Sequence, residues 1–224
     1  MKDANMESTQ TSHTSSLAQR LKQETAEAHT RAENSTFIVD LLEGKLHRDA
    51  FVALQEQSLQ FYTALEHALD TFTQDPCVQY VADRRLDRAD RLRHDVAALG
   101  GNVDAQPLPA TAEYVAHLQE VAERGDTVAM IAHHYVRYLG DLSGGQVVAS
   151  KMKSLLGIPE EALSFYDFTA IGKLKPYKDT YRMALDKLQT ILSGEEQDAL
   201  VASAGTAFIL NQKVFVDLGK IYCQ

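Results

Sequence analysis

Cysteine is scarce in this chain: there are two in 224 residues, Cys77 and Cys223. Neither sits in a Cys-x-x-Cys pair or at metal-ligand spacing from a histidine, which argues against a zinc site. A reducing compartment is the simpler setting for such a chain. Basic residues are also in short supply, with 22 Lys and Arg against 31 Asp and Glu, a net charge of −9. Nucleic-acid binders usually carry a basic footprint, so that class is disfavoured, although a local basic site for a small anion stays open. No run approaches 18 apolar residues, so no membrane-spanning helix or anchor is expected. The segment from Met1 to Ser16 is polar and lacks the apolar core of a signal peptide. Residues 1–15 therefore read as a disordered tail, 16–224 as one domain, and the protein as cytoplasmic. Strand alternation is nearly absent.

What is present is a 3.6-residue apolar period over most of the chain. With 45% hydrophobic residues there is ample material for one core. A first helix is expected from Ser16 to Glu33, with Leu17, Leu21, Thr25, Ala28 and Ala32 turned inward. A short helix follows and stops at Gly44. The next starts near Asp49, buries Phe51, Leu54, Phe61, Tyr62, Leu65 and Leu69, and ends at Asp75-Pro76. Asp83 to Leu99 reads as a charged helix ending at Gly100-Gly101. Pro107 and Pro109 introduce another, closed by Gly125. Asp126 or Thr127 caps the next, which ends at Gly157-Ile158-Pro159. An irregular stretch through Phe168 leads to a helix with Lys173 to Leu192. Ser193 and Glu196 form a capping-box pattern for a last helix through Val216. The expectation is an all-α single compact domain of about eight helices.

The run Tyr135-Val136-Arg137-Tyr138-Leu139-Gly140-Asp141-Leu142-Ser143-Gly144-Gly145-Gln146 is the least ordinary segment. Each glycine inside a helix costs roughly 1 kcal/mol relative to alanine. Gly140 and Gly144 are four apart and share a face, with Asp141 beside it. Such a bared face suits either close helix–helix packing or a flat ligand approaching the backbone. Packing alone explains the adjacent Gly145 poorly. His133 and His134 point about 100° apart and cannot form one metal pair on their helix.

His29 lies among small neighbours, with Glu33 four residues on and on the same face. A neutral imidazole held by a carboxylate is a common metal ligand. From the helix alone, a partly buried histidine satisfied by Glu33 is the favoured reading. Lys22 is two turns back from His29. Lys175, Lys178 and Arg182 form a stripe, with Lys173 nearby, that either meets a ligand's carboxylates or is a solvated face.

Taken together these segments resemble the haem oxygenase family, and closely its soluble bacterial members. The glycine-bearing run is similar to the family's distal-helix signature. Ala28-His29-Thr30-Arg31-Ala32-Glu33 with Thr36-Phe37 resembles its proximal-histidine helix. Lys173-Leu174-Lys175-Pro176-Tyr177-Lys178 with Tyr181-Arg182, and Ala207-Phe208-Ile209-Leu210-Asn211 with Val214-Phe215, resemble its later segments. The pieces span Leu17 to Gly219 in the family's order. Thr30 and Arg31 stand where some relatives carry other polar residues.

The resemblance implies haem b held between a proximal and a kinked distal helix, as both cofactor and substrate. His29 would be the axial iron ligand and Glu33 its hydrogen-bond partner. Gly140 and Gly144, with Gly145, would let the distal helix kink and lie close to bound dioxygen. Asp141 would organise distal waters with Tyr62, Arg137 and Asn211. Lys22, Tyr135, Lys173 and Arg182 would hold the propionates, and Phe208 and Phe215 would wall the pocket. The implied reaction is cleavage of haem by O2 to biliverdin, carbon monoxide and ferrous iron, through ferric hydroperoxide attack on a meso carbon, the α carbon. Electrons would come from an external ferredoxin or flavin/NAD(P)H reductase, and the unit would be a monomer.

A haem carrier is the nearest competing reading, but it has little use for Asp141 beside the glycines. A thiaminase-like enzyme would want a pocket cysteine, and a di-iron oxidase repeated Glu-x-x-His patterns; neither is found.

Overall fold

The computed structural model describes residues 15–223, and every regular element among them is helical. Ten α-helices are joined mostly by short turns, with two longer connections, 71–88 and 157–173, that contain 3₁₀ turns. They are α1 (Leu17–Glu24), α2 (Ala26–Glu33), α3 (Thr36–Leu42), α4 (Arg48–Asp70), α5 (Ala89–Leu99), α6 (Pro109–Glu123), α7 (Thr127–His134), α8 (Gly140–Leu156), α9 (Leu174–Leu188) and α10 (Gly194–Tyr222). The expected tail, 1–15, lies outside the described residues except for its last position.

The expected first helix is two. Its inward stripe is as read from the sequence: Leu17, Leu21, Thr25, Ala28 and Ala32 are all buried. The Thr25 hydroxyl, however, donates to the Leu21 carbonyl at 2.6 Å, and Thr25 leaves helical geometry at φ −98°, ψ 1°. A threonine bonded back to the i−4 carbonyl bends a helix, and here it separates α1 from α2.

The expected helix from Asp83 also starts late, at Ala89. Asp83 instead caps a single 3₁₀ turn, accepting from the Arg85 N–H at 3.0 Å. The buried Arg88 guanidinium takes the carbonyls of Arg85 and Leu86 at 2.9 and 2.7 Å. Those oxygens would otherwise accept within a helix.

Several stops and starts are where the sequence puts them. Gly44, Gly100, Gly125 and Gly157 all take positive φ at the ends of helices or in the turns after them. Asp126 caps α7 by accepting from the Ala129 N–H at 3.0 Å. The last helix runs beyond Val216 to Tyr222.

α10 is the organising element. By length and composition it is long and apolar enough to cross a membrane, a property hidden by scattered polar residues when only uninterrupted apolar runs are sought. Its Leu200, Ala204, Ala207, Leu210, Val214 and Leu218 are buried, and it packs on α2, α3, α6 and α7. Ser193 and Glu196 close the capping box at its start. Replacing a cap serine by alanine costs about 1 kcal/mol. Ser193→Ala should lower the unfolding free energy by that amount, read as a lower urea midpoint at unchanged slope, and Ser193→Asp should restore most of it.

Candidate active site

Between α7 and α8 the backbone makes one π-helical turn, Tyr135–Leu139. Isolated π turns inside helices often mark functional sites. The irregularity of the glycine-bearing helix is therefore here, one turn earlier than the glycines whose flexibility suggested it. Gly140 itself is ordinary right-handed helix at φ −62°, ψ −50°.

The turn carries Arg137 inward, with 13% of its side chain exposed. Its Nε and one terminal nitrogen donate to the Tyr62 hydroxyl of α4 at 3.1 and 2.9 Å. The other terminal nitrogen donates to the Asn211 amide oxygen of α10 at 2.6 Å. Its carbon sits 4.9 Å from the Phe61 ring centroid and 5.0 Å from that of Tyr62. Tyr62 in turn donates to the Asp141 carboxylate, and Arg137 faces Asp141 at 3.7 Å. Tyr62, Arg137, Asp141 and Asn211, from four different elements, thus form one connected cluster, as the sequence led us to expect.

Burial dominates the electrostatics. It raises Asp141 to about 6, against the opposing pull of Arg137, the Tyr62 hydroxyl and, more distantly, Arg88. Burial works against the Arg137 charge, but Tyr62, Asp141 and Tyr114 hold it above its ordinary value. Tyr62 stays neutral, pushed up mainly by burial. The cluster therefore keeps one permanent cation beside a carboxyl that titrates at about pH 6.

The three glycines separate into two roles. A Cβ built at Gly140 or Gly144 meets nothing within 4 Å. Close helix packing does not explain either position; that face of α8 is open. At Gly145 a Cβ would stand 3.1 Å from the Tyr166 ring. Gly145 is buried, and its missing side chain makes room for Tyr166. Tyr166, in the stretch read as irregular, was not anticipated. Its hydroxyl accepts from Gln55 at 3.2 Å and its carbonyl accepts from Gln146 at 2.8 Å.

His29 on α2 is 48% exposed, so it is not the partly buried histidine of the favoured sequence reading. Its Nδ1 lies 3.3 Å from Glu33, which leaves Nε2 uncommitted among the described residues. The Phe208 ring of α10 meets the imidazole edge-on at 5.4 Å. Phe208 and Asn211 are three residues apart on α10, a rise of about 4.5 Å. One turn of α10 therefore touches His29 on one side and the Arg137 cluster on the other. Phe215 lies further along the same helix face, partly buried.

The basic residues gather on the α1–α9 pair. The Ala18 and Leu17 N–H groups donate to Asp186 and Gln189 at 2.9 and 3.0 Å, which fastens the start of α1 to the end of α9. Arg182 pairs with Asp179, as does Lys175, so part of the expected stripe is neutralised. Lys22, Lys173 and Lys178 have no ion pair among the described residues. Tyr135 is buried and senses the Arg182 charge.

His133 and His134 stay outside this site. Burial lowers both to about 3, and His134 pairs with Tyr181 at 2.7 Å. Among the described residues no group of three His, Cys, Asp or Glu side chains could hold a metal ion.

The family model described as "Heme oxygenase" matches residues 15–217. The chain belongs to the haem oxygenase family. It is 33% identical over 214 residues to "Heme oxygenase 1" of Bos taurus, covering 93% of this chain and 73% of that protein. The haem oxygenase structure from Leptospira interrogans superposes with a TM-score of 0.84 at 33% identity, covering 90% of this chain and 98% of that one. Heme oxygenase-2 from Synechocystis, solved in complex with heme and NO, gives 0.86 at 33% identity over 92% and 86% of the two chains. Haem oxygenase membership makes the chain a haem-degrading enzyme, and haem both its substrate and its cofactor.

Two expectations follow from this geometry. Gly144→Ala adds a methyl to open space, so the haem-free chain should gain about 1 kcal/mol while haemin binding weakens; Gly145→Ala should instead destabilise the haem-free chain by driving Tyr166. Thermal melts with and without haemin separate the two. The Asp141 value of about 6 exceeds its ordinary 3.8. A carboxyl raised on folding contributes stability below the lower value and loses it as pH rises through the upper. Relative to Asp141→Asn, the native chain should therefore lose up to about 3 kcal/mol between about pH 4 and about pH 7 in paired urea titrations.

Proposed function

We propose that His29 and the Asp141 cluster are the two sides of the catalytic site, with haem bound between them. One observation carries this reading: Phe208 and Asn211, on a single turn of α10, touch His29 and Arg137 respectively, while the Gly140–Gly144 face stands open. The residues present fit the group. The open glycine face would admit a flat macrocycle. His29 Nε2 is free to ligate iron, with Glu33 fixing the ring through Nδ1. Lys22, Tyr135, Lys173 and Arg182 would hold the propionates, and Arg182 can do so bidentately despite its contact with Asp179. When bound, haem supplies the iron that activates O2 and the porphyrin ring that is opened to biliverdin with loss of carbon monoxide and ferrous iron.

The protein's share is placement and proton control. Asp141, half protonated at about pH 6, holds and passes a proton through water on the open face. Tyr62 spends its one proton on Asp141 and accepts twice from Arg137, so the carboxyl cannot swing away. The glycine backbone limits the room above the macrocycle, and the cations on α1 and α9 fix its rotation. That rotation selects the meso carbon attacked, the α carbon by family resemblance. A neutral histidine ligand, unlike a thiolate, does not push electron density toward O–O cleavage.

One chain carries both sides of the site, so a monomer suffices. Electrons would come from an external ferredoxin or flavin/NAD(P)H reductase, whose approach to the basic α1–α9 surface is favoured by charge complementarity. Two unpaired cysteines favour a reducing, cytoplasmic setting.

Titration with haemin should give a one-to-one Soret complex that ascorbate under air converts to a biliverdin band, with carbon monoxide released and catalase without effect. A complex that persists with a competent reductase overturns the reading in favour of haem carriage. His29→Ala should bind haemin more weakly with an altered ferric spectrum; an unchanged spectrum would remove His29 as the ligand.

A further inference from the structure

Arg88 is 1% exposed and pairs with no carboxylate among the described residues. Its side chain is spent on backbone carbonyls. It binds those of Arg85, Leu86 and Asp87 behind it, and those of Phe165 and Asp167 across a gap in sequence, at 3.1 and 2.8 Å. The guanidinium also lies 4.1 Å from the Phe168 ring centroid. Asp95, fully buried on α5, grips the same segment from the donor side. It accepts from the Ser164 and Phe165 N–H groups at 3.0 and 2.7 Å, and from the Ser164 hydroxyl at 2.6 Å. A cation holding carbonyls and an anion holding N–H groups fix both polarities of one short backbone stretch.

That stretch leads directly to the distal site. Phe165 meets the Tyr62 ring edge-on at 5.4 Å. Tyr166 packs on Gly145 and receives Gln146 on its carbonyl. The segment thus bears at once on the tyrosine that orients Asp141 and on the helix that carries the open glycines. Burying two ions is costly, and a loop needing only to be tied down could be held by neutral groups or apolar packing.

We propose that Arg88 and Asp95 are positioning residues for the distal site, clamping the Phe165-Tyr166 segment so that it sets where Tyr62 and the glycine face of α8 stand. The role rests on reading α8 as the distal helix. The clamp itself is tested on the full chain without haemin, so its failure and the failure of the haem reading are distinguishable.

The test is amide hydrogen exchange, residue by residue, on Arg88→Lys, Asp95→Asn and Gln146→Leu. Lysine cannot reach the set of carbonyls that arginine holds. Gln146 is exposed, so its replacement cuts the link from α8 to Tyr166 without opening the core, and stands in if a clamp variant fails to fold. Amides of the first two turns of α8 should exchange roughly tenfold faster in each variant, with those in the middle of α10 unchanged. In the same variants the ferric haemin complex should show a shifted visible spectrum. Uniform acceleration over all helices, no acceleration, or loosened α8 with an unaltered haemin spectrum would each overturn the proposal.

Discussion

The guanidinium of Arg137 is the group around which the site closes. It donates to α4 through Tyr62 and to α10 through Asn211, lies against two aromatic rings, and faces the carboxylate of α8. A buried cation is tolerated only when its donors are met and its charge is answered. That requirement accounts for much that surrounds it. Tyr62 is neutral and doubly used, Asn211 presents oxygen rather than nitrogen, and Asp141 must lie within reach. The π turn has a matching purpose: it swings Arg137 from a helix surface into this enclosure while α7 and α8 remain nearly continuous.

The two sides of the site are built to different standards. The Asp141 side is a closed network whose hydrogen bonds are already made before any ligand arrives. The His29 side is open, with an exposed imidazole and lysines without counterions. Proton handling depends on sub-ångström geometry and gains from being assembled beforehand. Capture of a large, flat, dianionic molecule needs room and charge, which exposed residues on α1, α2 and α9 provide.

The helices and their ends were largely legible because they are local. Apolar spacing, cap serines and aspartates, and glycines in left-handed turns each act within a few residues. Tyr62, Arg137, Asp141 and Asn211 could be grouped by family resemblance, since nothing in their spacing places four helices together. The errors are instructive for the same reason. Thr25 has an inward position in the stripe, and only its hydroxyl geometry ends the helix. Asp83 to Arg88 has helical composition, but Arg88 uses the carbonyls that a helix would need. The space beside Gly145 is filled by Tyr166, twenty-one residues on, a contact that no local spacing announces. Arg88 and Asp95 gave no signal, because charged residues in a charged helix normally lie in water.

The bare face of α8 has a consequence for the protein's lifetime. Two glycines without tertiary neighbours make the first turns of this helix weak in the absence of ligand, and a bound macrocycle would supply the missing contacts. Binding to the folded state alone raises apparent stability with ligand concentration, and small changes in stability alter the steady-state level of a protein exposed to proteases. Substrate would then govern abundance as well as flux: plentiful haem preserves the enzyme that destroys it, and each departing product returns the chain to its more perishable form.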